Sequence, residues 1–217
     1  MAHRALTVLI AILFLAGNAN PAQTQALDRE QARQALADAD ALARRQAAAR
    51  LGEVGVMADT AALQQALHDA DADTRENAEQ ALWRIWARSG DRQVDRLYET
   101  GVAQMREGDL QKSIATFSRI IRLKPAFAEG WNKRATLYFL AGEYQKSLAD
   151  CKEVIKRNPV HFGALAGYGQ IYLKLEDYER AQEYFQRALE VNPNMDSVRF
   201  NILLLEKLIE RRRRNMI

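Results

Sequence analysis

The sequence has few of the residues that most catalytic and metal sites use. It contains one cysteine, Cys151, and three histidines in 217 residues. A single cysteine excludes an internal disulfide, so packing alone must stabilise the fold. No Ser/His/Asp order, zinc-ligand spacing or phosphate-binding glycine loop is present. We therefore expect neither an enzyme nor a bound cofactor or metal, and we expect Cys151 to be a buried structural thiol.

The sequence also lacks a convincing alternating strand pattern. Glycine and proline are few, at 11 and 4 residues, and the composition is 48% hydrophobic and 27% charged, as in ordinary globular proteins. Apolar residues recur at helical spacing from residue 28 to residue 209. These observations predict an all-α fold.

The apolar run near the start is too short for a comfortable transmembrane helix. It extends over 12 residues, from Ala5 to Ala16, whereas a membrane-spanning helix needs about 20. One positive charge precedes the run and small, polar residues follow it, which is the layout of a secretory signal peptide. We predict that the signal peptide lies within residues 1–26 and is cleaved after Ala19, Ala22 or Ala26. We also predict that the mature protein is periplasmic. The alternative is an uncleaved segment that anchors the protein in the inner membrane.

An internal repeat of 34 residues occupies the second half of the chain. Each copy reads as two helices, and a proline ends the second helix because it lacks an amide hydrogen and clashes with the preceding turn. The copies span residues 94–127, 128–161 and 162–195. They share three sets of equivalent positions: Pro125, Pro159 and Pro193; Gly101, Ala135 and Gly169; Phe117, Cys151 and Phe185. A constant interval over three copies indicates a helical-repeat solenoid.

These copies resemble the tetratricopeptide repeat. The second copy supplies Trp131, Ala135, Tyr138, Ser147 and Pro159, and the third supplies Leu165, Gly169, Tyr172, Ala181, Phe185, Ala188 and Pro193. The first copy departs from the family pattern at Gln104, where an aromatic residue is expected. Residues 196–217 are predicted to form a capping helix and a basic tail, with an inner stripe of Val198, Ile202, Leu205 and Ile209.

A different repeat precedes these copies. Two segments within residues 27–90 superpose at an interval of 31 residues, with Arg44 on Arg75 and Leu51 on Leu82. This segment resembles short HEAT-type helices. The chain is therefore divided into residues 1–26, 27–90, the repeats within 91–195, and 196–217.

The last helix of the HEAT-like segment carries two features of interest. Asp73 and Glu76 are expected to form a capping box where the helix begins. Trp83 and Trp86 lie three residues apart on it, and we expect them to form the joint between the two arrays. The alternative is an exposed aromatic surface that binds a ligand.

The resemblance to the tetratricopeptide repeat implies a right-handed superhelix whose concave face is lined by the first helix of each pair. We expect this groove to bind a peptide or a partner helix by burying apolar groups, with polar groups fixing the register. The groove residues implied by this register are Tyr98, Val102, Met105, Asn132, Lys133, Thr136, Phe139, Gly163, Ala166, Gly167, Gln170, Leu173 and Lys174.

Two glycines leave part of this groove, a bare patch, without side chains. Gly169 occupies the small-residue position where the paired helix packs close, but Gly163 and Gly167 fall four residues apart on the groove side, with Ala166 beside them. Each glycine inside a helix costs roughly 0.8–1 kcal/mol relative to Ala. We expect a ligand backbone or ring to approach this patch. The alternative is close packing by the capping helix or by the preceding helix pair.

Many members of the family hold chaperone C-terminal carboxylates in a clamp of Lys, Asn, Asn, Lys and Arg. The corresponding positions here are Tyr98, Val102, Lys133, Gly163 and Gly167. No clamp residue is present at its place, so the resemblance does not extend to that class of ligand.

A basic run closes the sequence, whose net charge is +3. Arg211, Arg212, Arg213 and Arg214 are expected to be a solvated helix end that complements the helix dipole; the alternative is contact with anionic lipid. Nucleic-acid binding would need a longer basic stripe. The sequence thus predicts a non-catalytic periplasmic adaptor for a protein or peptide of unknown identity. The alternative is an envelope scaffold that oligomerises, or that docks at the inner membrane through the capping helix and the arginine run.

Overall fold

The fold is all-α, as the sequence predicted. The computed structural model describes residues 26–215, so the proposed signal peptide lies outside the described residues except for Ala26. The elements are α1 (Arg29–Ala35), α2 (Ala41–Val54), a 3-10 turn (Met57–Asp59), α3 (Thr60–Ala66), α4 (Ala72–Trp86), α5 (Arg92–Arg106), α6 (Leu110–Leu123), α7 (Ala128–Leu140), α8 (Tyr144–Arg157), α9 (Phe162–Lys174), α10 (Tyr178–Val191) and α11 (Asp196–Asn215).

The helices α5 to α10 form three pairs, α5 with α6, α7 with α8 and α9 with α10. Each pair packs closely because a small residue on its first helix faces a larger one on its second. A Cβ atom at Gly101 would lie 2.8 Å from the ring of Phe117, and one at Gly169 would lie 2.4 Å from the ring of Phe185. Neighbouring atoms cannot approach so closely, so glycine fits at these two sites without a shift. The expected packing role of Gly169 is confirmed.

The capping helix α11 covers the last helix pair. Its inner stripe is confirmed, since Val198, Leu205 and Ile209 are buried and Ile202 packs against the same apolar cluster. The outer face remains open, and three large apolar side chains are solvent-exposed there: Phe200 by 66%, Leu203 by 57% and Leu204 by 41%.

The helices α1 to α4 form an N-terminal unit around a core that includes Leu51, Leu82 and Ile85. The start of α4 corrects the sequence prediction, because Asp71 rather than Asp73 is the N-cap and accepts the backbone N–H of Thr74 at 2.8 Å. Asp73 lies within the first turn and pairs with Arg45 at 2.9 Å. Asp71 also pairs with Arg45, at 2.5 Å, which favours the earlier start of the helix.

The N-terminal unit packs against the loops that close the three repeats. In the first repeat, the ammonium of Lys124 donates to the carbonyl of Ser89. In the third, Asn192 Nδ2 donates to Glu79 at 2.9 Å, and Asn194 Nδ2 donates to the carbonyl of Leu67 at 2.8 Å. The unit therefore lies along one edge of the solenoid rather than extending it by another turn.

The C-terminal arginine run belongs to the end of α11. Arg212 donates to the carbonyl of Glu176 at 3.3 Å, and its guanidinium lies 5.8 Å from the centre of the Tyr178 ring. Arg211 and Arg214 are exposed, and the side chain of Arg213 lies outside the described part of the chain. Within residues 26–215, no helix combines the length and the apolarity that crossing a membrane requires.

Candidate partner-binding site

A pocket of about 180 Å³ lies between the first helices of the second and third pairs. We call it the groove pocket. Its lining residues are Asn132, Ala135, Thr136 and Phe139 from α7, Ser147 and Cys151 from α8, and Gly163, Gly167, Gln170 and Ile171 from α9. Six of these ten were predicted as groove residues, namely Asn132, Thr136, Phe139, Gly163, Gly167 and Gln170.

Gly167 keeps the groove pocket open. A Cβ atom at this position would have one neighbour within 4 Å, the sulfur of Cys151 at 3.7 Å. Cys151 is buried, and this burial, together with the negative charge of Asp150, raises the pKa of its thiol to about 12. The prediction of a buried structural thiol is confirmed. A thiol with so high a pKa stays protonated near neutral pH and is a poor nucleophile. Cys151 therefore contributes an uncharged, apolar wall to the pocket.

The polar side chains of the groove pocket differ in whether they already make hydrogen bonds within the protein. Asn132 Nδ2 donates to Glu129 at 3.0 Å, and the Thr136 hydroxyl donates to the carbonyl of Asn132 at 3.0 Å. Gln170 is half-buried, and among the residues that the structure describes its side chain makes no hydrogen bond. The amide of Gln170 is therefore the group best placed to bond a ligand.

Seven predicted groove residues lie outside the groove pocket. Tyr98, Val102 and Met105 pack against the core of the first pair, Ala166 and Leu173 pack in the cluster beneath α11, Lys133 pairs with Glu129, and Lys174 is exposed. The predicted groove residues are thus divided, and those of its central part line the groove pocket.

Gly163 allows a close approach that the protein itself makes. A Cβ atom there would lie 2.3 Å from the Cη2 atom of Trp83 on α4. The packing element is therefore the N-terminal unit, and neither the capping helix nor the preceding pair takes this role. One end of the bare patch is occupied by Trp83, and the open part lies at Gly167.

The two tryptophans of α4 form a joint between the two arrays, as predicted, and they pack where the second repeat meets the third. The ring centres of Trp83 and Phe162 are 5.1 Å apart, and those of Trp86 and His161 are 4.4 Å apart, with the latter rings stacked. Trp86 is 3% exposed. This burial contradicts the alternative of an exposed aromatic surface for Trp86.

A buried acid at the start of α7 connects three helices and was not anticipated from the sequence. Glu129 is 1% exposed, and its carboxylate lies 2.9 Å from His161 Nε2, 3.0 Å from Asn132 Nδ2, 3.1 Å from Lys133 Nζ and 3.4 Å from the Tyr98 hydroxyl. Burial alone would raise the pKa of Glu129, but the hydrogen bond from His161 and the charge of Lys133 outweigh it and lower the pKa to about 2. The network holds a charged carboxylate in the core beside the groove pocket.

No local signal in the sequence marks this network. An acid in the first turn of a helix ordinarily faces solvent and complements the helix dipole, and His161 reads as a turn residue. In the structure, His161 is the buried N-cap of α9 and accepts the N–H of Ala164 at 3.1 Å through Nδ1. Asn132 and Lys133 lie one turn away on the same helix. Tyr98 and His161 are 31 and 32 residues away in the sequence, so only the packed fold shows all four together.

Comparisons with known proteins place this architecture among repeat proteins. Family models described as tetratricopeptide repeat match residues 98–161 and 165–195. A TPR repeat-containing protein of Rhizobium etli is 32% identical over 124 residues, which are 57% of this chain and 61% of that protein. The small glutamine-rich tetratricopeptide repeat-containing protein of Dictyostelium discoideum is 29% identical over 53% of this chain and 34% of its own length. The chain thus spans less than two thirds of either relative.

Solved structures share the fold of the repeat region. The first TPR of Spaghetti, bound to an HSP90 peptide, has a TM-score of 0.54 at 21% identity and matches 55% of this chain and 96% of its own. The TPR domain of Sgt2 from Aspergillus fumigatus has a TM-score of 0.55 at 22% identity, over 57% of this chain and 83% of its own.

Proposed function

Because residues 98–161 and 165–195 match tetratricopeptide repeat models, we propose that this protein is a non-catalytic adaptor whose groove pocket binds a peptide or a partner helix. Proteins of this family are generally adaptors without catalytic activity, which supports the proposal. The observation that carries it is the space left open by Gly167. A helix gives up about 1 kcal/mol for such a glycine, and in the described structure only Cys151 approaches the position.

The size and lining of the groove pocket favour one large apolar side chain of the ligand. A cavity of about 150 Å³ holds a benzene ring, and the groove pocket measures about 180 Å³. Phe139, Cys151 and Ile171 supply apolar walls, and the amide of Gln170 lies beside them. We infer that an aromatic or branched side chain enters the pocket while Gln170 bonds the ligand backbone.

The comparison with Spaghetti supports peptide binding by this fold, since that domain was solved with an HSP90 peptide. The chemistry proposed here is different. Gly163 and Gly167 stand at two positions where many family members carry clamp residues, and the pocket that these glycines line is mainly apolar. We therefore propose an apolar ligand side chain, and not a C-terminal carboxylate, as the feature recognised in the groove pocket.

A differential capture experiment tests the proposal. The mature protein and its Gly167→Arg variant would be used to capture proteins from a periplasmic extract, after both show the same helicity and melting temperature. Gln145→Arg, at an exposed site on α8, adds the same charge away from the pocket. A partner captured by the wild type and by Gln145→Arg, but lost with Gly167→Arg, supports the proposal. Retention of the same partners by all three proteins contradicts it.

We propose a periplasmic location on the basis of the sequence of residues 1–26. Cell fractionation and N-terminal sequencing of the purified protein test this. A mature protein that starts near residue 20, 23 or 27 and that is released with the periplasm would support export and cleavage. An intact N-terminus in the membrane fraction would favour the uncleaved anchor.

The exposed face of α11 favours a second candidate function, that of an envelope scaffold. Phe200, Leu203 and Leu204 are apolar and exposed on the helix whose end carries the arginine run. An apolar face next to positive charge suits a second copy of the protein or an anionic membrane surface. Sedimentation velocity and co-sedimentation with anionic vesicles at low and high salt would detect either event, and Leu203→Ser should abolish it.

A further inference from the structure

A second pocket, of about 150 Å³, lies where the N-terminal unit meets the loops that close the first two repeats. We call it the joint pocket. Its lining residues are Met57, Trp86, Arg88 and Ser89 from the N-terminal side, and Lys124, Ala126, Phe127, Ala128, Arg157 and Asn158 from the repeats. It shares no residue with the groove pocket, so its function is independent of the proposal above.

The charged side chains that line the joint pocket are all positive. Arg88, Lys124 and Arg157 line it, and no acidic residue does. Arg157 pairs with Glu153, whereas Arg88 and Lys124 donate to backbone carbonyls and, among residues 26–215, lie within ion-pair distance of no carboxylate. Burial, and then the charge of Arg84, lower the pKa of Arg88, against an opposing effect of Asp95. The lining itself is therefore positive, while the carboxylates of Asp91 and Asp95 lie outside it, near Lys124 and Arg88.

Two buried hydrogen-bond donors in the lining have no acceptor. They are the Trp86 indole N–H and the Asn158 amide, on residues that are 3% and 5% exposed. A buried donor without a partner costs about 1–3 kcal/mol, and native proteins rarely leave such groups unsatisfied. Both residues line the joint pocket, so one bound acceptor there could satisfy them.

The third repeat shows what kind of acceptor suits this position. Asn192 stands 34 residues after Asn158, at the same place in its repeat. Its Nδ2 donates to the carboxylate of Glu79 on α4 at 2.9 Å. In the second repeat the equivalent amide faces no such acid. A carboxylate is thus the group that this structure already uses to satisfy the same amide one repeat later.

Helix α7 contributes its N-terminus to the lining of the joint pocket. It begins at Ala128, which lines the joint pocket, and its N-cap Phe127 gives the first turn no side-chain acceptor. The N-terminus of a helix favours negative charge, and the first turn of α7 already holds the buried carboxylate of Glu129. Met57, Phe127 and Ala126 complete the lining with apolar surface.

We propose that the joint pocket binds a carboxylate attached to a small apolar group. Lys124 and Arg88 supply the charge, and the Trp86 indole and the Asn158 amide donate hydrogen bonds. The apolar group packs against Met57 and Phe127. The same chemistry occurs in the C-terminal residue of a polypeptide and in a free aliphatic acid, and the experiment below separates the two.

Nuclear magnetic resonance of the full mature protein provides a direct readout, because the Trp86 indole N–H should shift when an acceptor binds. The probes are N-acetyl-leucine, its uncharged amide, 4-methylpentanoate and inorganic phosphate. Saturable shifts with N-acetyl-leucine but not with its amide would support the proposal. Tighter binding of N-acetyl-leucine than of 4-methylpentanoate would indicate a polypeptide C-terminus, and the reverse order a free acid. Equal shifts with phosphate would indicate an unselective anion site and overturn the proposal, as would no shift with any probe.

Substitutions localise the binding. Lys124→Met should weaken the affinity for N-acetyl-leucine about tenfold or more, since a hydrogen bond to a charged group contributes about 1.5–3 kcal/mol. Asn158→Asp places a carboxylate in the pocket itself and should prevent binding while the fold is retained. Lys152→Met removes the same charge from an exposed site on α8 and should bind as the wild type does. Unchanged affinity in Lys124→Met and Asn158→Asp would overturn the proposal.

Discussion

His161 and Glu129 form a buried pair in which the Nε2 atom of the imidazole lies 2.9 Å from a carboxylate oxygen. Because Nδ1 of the same ring accepts the N–H of Ala164, the ring proton is on Nε2 and is donated to Glu129. The ring also stacks on Trp86. Through these contacts the His161 ring connects α7, α9 and the N-terminal unit beside the groove pocket.

The pair should make stability depend on acid pH. The pKa of Glu129 is lowered from 4.5 to about 2 in the folded protein. A carboxyl with a lowered pKa stabilises the fold fully above its unfolded pKa and loses this contribution as the pH falls toward the folded value. Glu129→Gln should therefore destabilise at pH 7 by about 1–3 kcal/mol, and by less at pH 3. Urea unfolding of both proteins at the two pH values measures this, and an equal difference at both would contradict it.

The close contact between Gly163 and Trp83 should decide whether Gly163→Ala stabilises or destabilises the fold. In the wild type, Gly163→Ala should destabilise, because the new Cβ would lie 2.3 Å from the indole ring. In a Trp83→Ala background the ring is absent, and the same substitution should stabilise the helix by up to about 1 kcal/mol. Urea unfolding of the four proteins forms a double-mutant cycle. The packing explanation fails if Gly163→Ala has the same effect in both backgrounds.

Gly167 and Gly169 should respond to alanine in opposite directions. Gly167→Ala meets only the Cys151 sulfur at 3.7 Å and should stabilise by about 1 kcal/mol through helix propensity. Gly169→Ala places a Cβ 2.4 Å from the ring of Phe185 and should destabilise by about 1–3 kcal/mol, as overpacking does.

Thermal unfolding of the two variants checks the signs. A groove partner identified by capture should bind Gly167→Ala more weakly, because the methyl group enters the groove pocket. If Gly167→Ala stabilises the fold and leaves all binding unchanged, the glycine has no ligand-binding role.

The thiol of Cys151 should be inert in the folded protein. Burial raises its pKa from 9.0 to about 12, so the thiolate fraction near neutral pH falls about a thousandfold. A chromogenic disulfide reagent should react slowly with the native protein at pH 8 and rapidly in urea. Gly167→Ala serves as a comparison, since it further closes the pocket in front of the sulfur. Rapid labelling of the native protein would show that the groove pocket opens much more widely than the structure indicates.

The cap of α4 distinguishes two neighbouring aspartates. Asp71→Ala removes the acceptor for the Thr74 N–H and should destabilise by about 1–2 kcal/mol, the usual effect of losing an N-cap. Asp73→Ala removes an exposed partner of Arg45 and should cost well under 1 kcal/mol. Chemical denaturation of both variants, with Asp71→Asn as a control that keeps a capping oxygen, measures the difference. A larger loss of stability in Asp73→Ala than in Asp71→Ala would support Asp73 as the N-cap, as the sequence predicted.

The sequence by itself determined the repeat architecture. A 34-residue interval, helix-ending prolines and small residues such as Gly169 opposite large ones such as Phe185 are local or periodic features, and they specify helix pairs whatever lies elsewhere in the chain. The apolar stripe of α11 was predictable for the same reason, because residues three and four apart on a helix share a face. The six predicted residues that meet at the groove pocket follow from the register that the resemblance to the tetratricopeptide repeat implies.

Tertiary structure alone decided how the N-terminal unit packs against the repeats. The hydrogen bonds from Asn192 and Asn194 reach residues more than 110 positions earlier in the chain, and no periodic pattern encodes such a contact. The packing of Trp83 on Gly163, the burial of Glu129 and the unpartnered donors of the joint pocket all result from this arrangement. A side chain's helical position is fixed by its neighbours in sequence, but its burial and its partners depend on which distant surface covers it.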